Sequence, residues 1–133
     1  MTAVQTQSQQ TQNLHQRVSD LVSYIQQGKI LEAMTEFYAP ETTMQENNNP
    51  PTTGLEANIE REKQFLAQVK QWKSMNIVAV GVDEQRGRTL VQYDFDFINT
   101  AGQPVHYDQV SAQTWKNGKI VYEKFYYDTG AKH

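Results

Sequence analysis

Within residues 89–99, TLVQYDFDFIN, the run from Val91 to Phe97 alternates strictly between apolar and polar side chains. Val91, Tyr93, Phe95 and Phe97 fall on one face, and Gln92, Asp94 and Asp96 on the other. A period of two belongs to a strand with one buried face; wound as a helix, the same residues would scatter around its circumference. Three more strand candidates adjoin it. MNIVAVGVDE (75–84) precedes it across the turn QRGR, and VHYDQVSAQTW (105–115) follows it across TAGQ. IVYEKFYYD (120–128) comes last, across KNGK, whose Asn-Gly pair closes two-residue hairpins. Connections this short make neighbours antiparallel, so the C-terminal half predicts a four-stranded meander.

The N-terminal half has the helical period instead. Leu14, Val18, Leu21, Val22 and Ile25 form one apolar stripe, and Gly28 stops that helix. Ile30, Leu31, Met34, Phe37 and Tyr38 form a second, shorter amphipathic helix that Pro40 ends. Thr42 to Glu46 is a short β-branched strand. A third helix is predicted from Gly54 to Lys73, with Leu55, Ile59, Phe65, Leu66, Val69 and Trp72 on one arc. Glu62 falls near the middle of that arc, with Asn58 one turn earlier beside it. An acid on a face meant for burial must be paired, protonated or open to a cavity. The other reading is that the helix is locally exposed there.

Helices grouped ahead of a meander indicate the α+β class, with three helices packed on a curved, mainly antiparallel sheet. At 133 residues the chain holds one core. Residues 1–12, MTAVQTQSQQTQ, read as a flexible polar tail or extra helical turns, and residues 13–133 as the single domain. A net charge of −3, with scattered Lys116, Lys119 and Lys124, gives no phosphate-binding patch and argues against nucleic acid. No apolar run is long enough to span a membrane, and the N-terminus lacks the pattern of a secretory signal. The absence of cysteine removes disulfides and thiolate chemistry and fits a reducing, cytoplasmic compartment. His15, His106 and His133 lack metal-ligand spacing, so no metal or cofactor is expected. Nucleotide loops and the G-x-S-x-G elbow are also missing.

The segments GKILEAMTEFYAPETTMQEN, PTTG and DQVSAQTWKNGKIVYEKFYYD, in this order, resemble the nuclear transport factor 2-like superfamily of cone-shaped α+β barrels. The similarity spans residues 14 to 128 and includes SnoaL-like polyketide cyclases and ketosteroid isomerases. MQENNNPPTTG with WKNGKI and KFYYD resembles a SnoaL-like group of no assigned activity. The resemblance implies a pocket inside the cone. It puts Glu46 where the isomerases carry their general base, Leu21 where they carry a tyrosine, and Ser111 where they carry a protonated acid. It turns Gln109, Ser111 and Gln113 of one strand inward, and Glu123, Phe125 and Tyr127 of the next, with Tyr93 on the neighbouring wall. It also implies a homodimer packed through the outer sheet face, where Val110, Ala112 and Thr114 are small.

Glu46 is thus the candidate catalytic base, within a pocket of Asn58, Glu62, Tyr93, Gln109, Ser111, Gln113, Glu123 and Tyr127. On its own residues Glu46 reads better as an exposed strand-end acid, and only the resemblance raises the pocket reading to its level. The expected ligand is a small hydrophobic or semi-polar molecule. The expected activity is a cofactor-independent isomerase or cyclase, and the alternative is a non-catalytic binding or dimeric scaffold domain.

Overall fold

The computed structural model describes residues 2–128, with side chains from Leu14 onward; His133 lies outside the described residues. Its elements are α1 (Thr2–Gln26), α2 (Ile30–Phe37), β1 (Tyr38–Glu46), β2 (Thr52–Thr53), α3 (Leu55–Leu66), β3 (Val69–Asp83), β4 (Arg88–Asn99), β5 (Pro104–Lys116) and β6 (Lys119–Tyr127). The three helices pack on a curved, unclosed sheet in the order β2-β1-β6-β5-β4-β3. The meander β3–β6 is antiparallel throughout. Only β1 against β6 runs parallel, which makes the sheet mixed.

The alternation in β4 does what its period requires. Val91, Tyr93, Phe95 and Phe97 are buried on the concave face. Opposite them, Leu14, Val18 and Leu21 of α1 and Ala33, Met34 and Phe37 of α2 complete the core with Trp115 and Ile120. Gly28 (φ 78) ends α1, its N–H reaching the Ile25 carbonyl at 3.0 Å. Asn117 (φ 54) and Gly118 (φ 76) both take the left-handed conformation that a two-residue hairpin of this twist needs. Arg17 joins the layers: its guanidinium donates to the Gly118 and Glu36 carbonyls and lies 4.4 Å over the Phe37 ring.

Two boundaries differ from the sequence expectation. Tyr38 opens β1 instead of closing α2, so its hydroxyl serves the sheet. The third helix ends at Leu66, and Val69 and Trp72 belong to β3. The cause lies in β-bulges. Register shifts between Val69 and Gln71, and again between Trp72 and Ser74, insert an extra residue each time. Val69, Trp72 and Met75 therefore face the concave side opposite Asn99, Phe97 and Phe95. A bulge stretches the period of two to three, and a spacing of three imitates a helix.

Among the described residues no helix is long and apolar enough to cross a membrane. Phe37, 1% exposed, sits at the meeting point of α1, α2 and the sheet. Phe37→Ala should lower stability by about 3–5 kcal/mol. Val80→Ala, at a site 43% exposed, should change it by less than about 0.5 kcal/mol. Urea denaturation of both variants checks the contrast.

Candidate functional site

A cavity of about 350 Å³ opens between the helices and the concave face of the sheet. Its floor includes Tyr93, Ser111, Gln113 and Glu123, and its upper wall and mouth include Glu46, Asn58, Glu62, Gln109 and Tyr127. All nine residues singled out from the sequence therefore border one space. They do not hold equivalent positions in it.

Glu123 is almost fully buried, 2% exposed at the centre of β6. Its cross-strand partner is Gln113, whose Nε2 donates to Glu123 Oε2 at 2.8 Å. Ser111 donates to the same oxygen, and Tyr38 to the other. Burial pushes the Glu123 carboxyl above its ordinary range, while these donors from Ser111, Tyr38 and Gln113 pull against it. Tyr38 itself is held well above the usual phenol range by burial first and by the adjacent Glu123 second. Tyr93 is raised likewise, by burial and then Glu123, and its oxygen accepts a hydrogen bond from Gln109 Nε2.

Glu62 reaches the cavity from α3. Its carboxyl is pushed up to about 7, mainly by burial, then by Glu123 and Glu46. Among the described residues no side chain donates a hydrogen bond to it. Asn58, 4% exposed, spends its amide nitrogen on the rim, donating to the Gly54 and Thr52 carbonyls at 2.8 and 2.9 Å. Glu46 stands at the end of β1, with a side chain 44% exposed, and pairs with Arg61 at 3.1 Å. Asn47 (φ 50) turns the chain there, its N–H held by the Phe125 carbonyl at 2.8 Å and its side-chain oxygen accepting from the Tyr127 N–H. The rim is thus pinned to β6.

Sequence reasoning missed three parts of the site. Tyr38 was hidden by its assignment to a helix, and Arg61, a partner offered to its neighbour Glu62 by the sequence, pairs instead with Glu46 once the fold sets β1 beside α3. The third is an aromatic wall of Phe65, Trp72, Phe95 and Tyr107. Phe65 meets Phe95 edge-on at 6.3 Å, Trp72 meets Phe95 at 5.7 Å, and Phe95 stacks on Tyr107 at 5.2 Å. The strand alternation gave the signal for Phe95 and Tyr107, but the bulges concealed Trp72.

His106 lies outside the cavity, on the outer face, bonded to Asp96 at 2.8 Å and Asp108 at 3.3 Å. Among the described residues no group of His, Asp or Glu is placed to hold a metal ion.

The SnoaL-like domain family matches residues 18–123, which carry both buried acids of the cavity and all of its lining but Phe125 and Tyr127. The chain belongs to the SnoaL-like family. No curated protein matches it. Among solved structures it is similar to a Mesorhizobium loti protein provisionally called a SnoaL-like polyketide cyclase, at 24% identity, with a TM-score of 0.73 over 85% of this chain and 97% of that one. A Xanthomonas campestris protein provisionally called a polyketide cyclase gives 17% identity and a TM-score of 0.76, over 91% and 94%. A Bacillus subtilis protein provisionally called an isomerase gives 15% and 0.72, over 90% and 88%. At these identities the likeness is one of fold.

The shift on Glu62 is also a statement about stability. The folded chain binds that proton more tightly than the unfolded one, whose carboxyl titrates near the ordinary 4.5. Below 4.5 both states are protonated and nothing is gained or lost; between there and about 7 stability falls as pH rises, and above 7 the loss is complete. Glu62→Gln should therefore lose less stability than the parent SnoaL-like chain between pH 4.5 and 7. Urea midpoints at the two ends of that window measure this, and equal losses would contradict the assignment.

Proposed function

We propose that this SnoaL-like cavity is a cofactor-independent proton-transfer site, of isomerase or cyclase type, with Glu62 as the group that takes and returns the proton. The observation that carries the reading is an acid poised near neutral pH on the wall of an aromatic-lined cavity. Ionised Glu62 removes a proton from the carbon next to a substrate carbonyl, becoming a neutral acid as the enolate forms. Tyr93 accepts from Gln109 and keeps its own O–H for the enolate oxygen. Neutral Glu62 then returns the proton to another carbon, so the reaction needs no oxidant or co-reactant. Glu46, at the family's base position, is half-exposed and ion-paired, and in this reading it frames the mouth.

The ligand is a small hydrophobic or semi-polar molecule. The cavity borders carry three carboxylates, Glu46, Glu62 and Glu123, against one guanidinium, Arg61, and Glu46 already answers Arg61. A substrate carboxylate or phosphate would find no free cation there. The aromatic wall suits a flat, uncharged carbonyl compound.

One observation favours a binding domain without catalysis. Tyr38, Ser111 and Gln113 all spend donors on Glu123, and Leu21 stands where the isomerases carry a tyrosine, so Tyr93 is left as the main hydroxyl for an oxyanion. Exchange of α-protons of aryl ketones in D2O, followed by NMR, separates the two readings. The enzyme should exchange them above background. Glu62→Gln should slow exchange by about 10²–10⁴-fold and Glu46→Gln by much less. No exchange with any ketone favours the binding domain.

We also propose a homodimer through the outer sheet face. Leu90 (53% exposed) lies opposite Ala112, and Val110 lies between Gln92 and Tyr126 (48% exposed). Leu90→Lys should convert the dimer to monomer in light scattering; an unchanged mass, or a parent chain that is already monomeric, counts against this face.

A further inference from the structure

Thr89, Gln113 and Glu123 are cross-strand partners in turn: Thr89 lies opposite Gln113, and Gln113 opposite Glu123. The register of β4, β5 and β6 therefore sets three polar side chains in one row on the concave face. The row starts at Trp115, whose indole N–H can only donate. It donates to Thr89 Oγ1 at 2.8 Å. Thr89 then directs its own proton to Gln113 Oε1 at 2.6 Å. That contact decides which end of the amide is oxygen, so the Gln113 nitrogen faces Glu123 Oε2 at 2.8 Å. The same nitrogen approaches Ser111 Oγ at 3.4 Å, which leaves the serine proton for Glu123. Tyr38 donates to the second carboxylate oxygen. Every member of the row is more than nine-tenths buried. With a donor-only group at one end and a carboxylate at the other, the hydrogen bonds run in one direction. Turning the Gln113 amide would set N–H against the threonine proton and oxygen against the carboxylate.

We propose that this relay holds Glu123 as a buried anion beneath the cavity, and that Glu123 is a positioning residue whose fixed charge keeps the proton on Glu62. The inference rests on the reading of Glu62 as the proton carrier. The two carboxyls differ sharply in surroundings: three donors point at Glu123, and none of the described side chains donates to Glu62. Two acids in one site, one cradled by donors and one not, divide the roles of anion and acid between them. The other groups facing Glu62 are Glu46 on β1, the neighbouring Arg61, and the hydroxyls of Tyr38 and Tyr93. Arg61 is turned toward Glu46 at 3.1 Å, so Glu123 remains the leading charge acting on Glu62 after burial itself.

The test is a carbon-detected NMR titration of the glutamate carboxyls in the full chain, with no substrate needed. Glu123→Gln should lower the proton affinity of Glu62 by about tenfold or more, a shift of one unit. Trp115→Phe keeps an aromatic side chain but removes the indole N–H that orients Thr89 and Gln113. It should also lower the affinity of Glu62, because a turned amide lets Glu123 take up a proton. Trp115→Phe carries the test if Glu123→Gln does not fold. A Glu62 midpoint unchanged in the folded variants overturns the role of Glu123 and leaves the proton carrier in place. A Glu62 midpoint in the ordinary carboxylate range in the parent chain overturns the proton carrier, and the inference with it.

Discussion

A carboxylate removed from water at the centre of a sheet must be met by donors, and Glu123 imposes that condition on four strands at once. Burying such a charge without partners costs far more than a small domain's whole stability margin. Tyr38 on β1, Ser111 and Gln113 on β5, and Thr89 on β4 behind Gln113 meet the condition together. Each reaches its place only if the strands keep one register, because a slip of one residue would turn the whole set outward. The polar floor thus specifies the pairing of β4, β5 and β6 as firmly as the apolar core does. A second consequence falls on Glu62, which shares the space with that charge and has no donors of its own.

The cavity exists because two solutions to burial meet along the sheet. Toward the β5–β6 turn, α1 and α2 close over the concave face, and Leu21, Phe37 and Ile120 of β6 are almost wholly inaccessible there. Toward the other end α3 is only twelve residues long, and rings stand in for helix side chains. Phe65, Trp72, Phe95 and Tyr107 pack edge-on and stacked on one another without filling the space between floor and mouth. The bulges of β3 make this arrangement, since each one brings another side chain of that edge strand to the concave face. The result is a wall that welcomes flat apolar groups above a floor that carries charge.

Much of this was legible in the residues. The alternation of TLVQYDFDFIN, the Asn-Gly hairpin and the stripe of α1 each carry a local period or turn chemistry that tertiary packing reinforced. Glu62 was visible for the same reason, as an acid out of phase with its apolar arc. The boundary of α3 was not, because bulged strand and helix share a spacing of three at Val69, Trp72 and Met75. Nor was the division of labour among the acids. Glu46, Glu62 and Glu123 look alike in sequence. Only the donors around Glu123, the ion pair of Glu46 with Arg61 and the unanswered burial of Glu62 tell them apart. These are contacts across as many as 85 positions of chain, beyond the reach of any local pattern.

Neutron diffraction from deuterated crystals near pH 6 reads the central claim directly, as nuclear density on each carboxyl. The account predicts a deuteron on Glu62, none on Glu123, and deuterons from Tyr38, Ser111 and Gln113 pointing at the Glu123 oxygens. A deuteron on Glu123, or a bare carboxylate at Glu62, would contradict it.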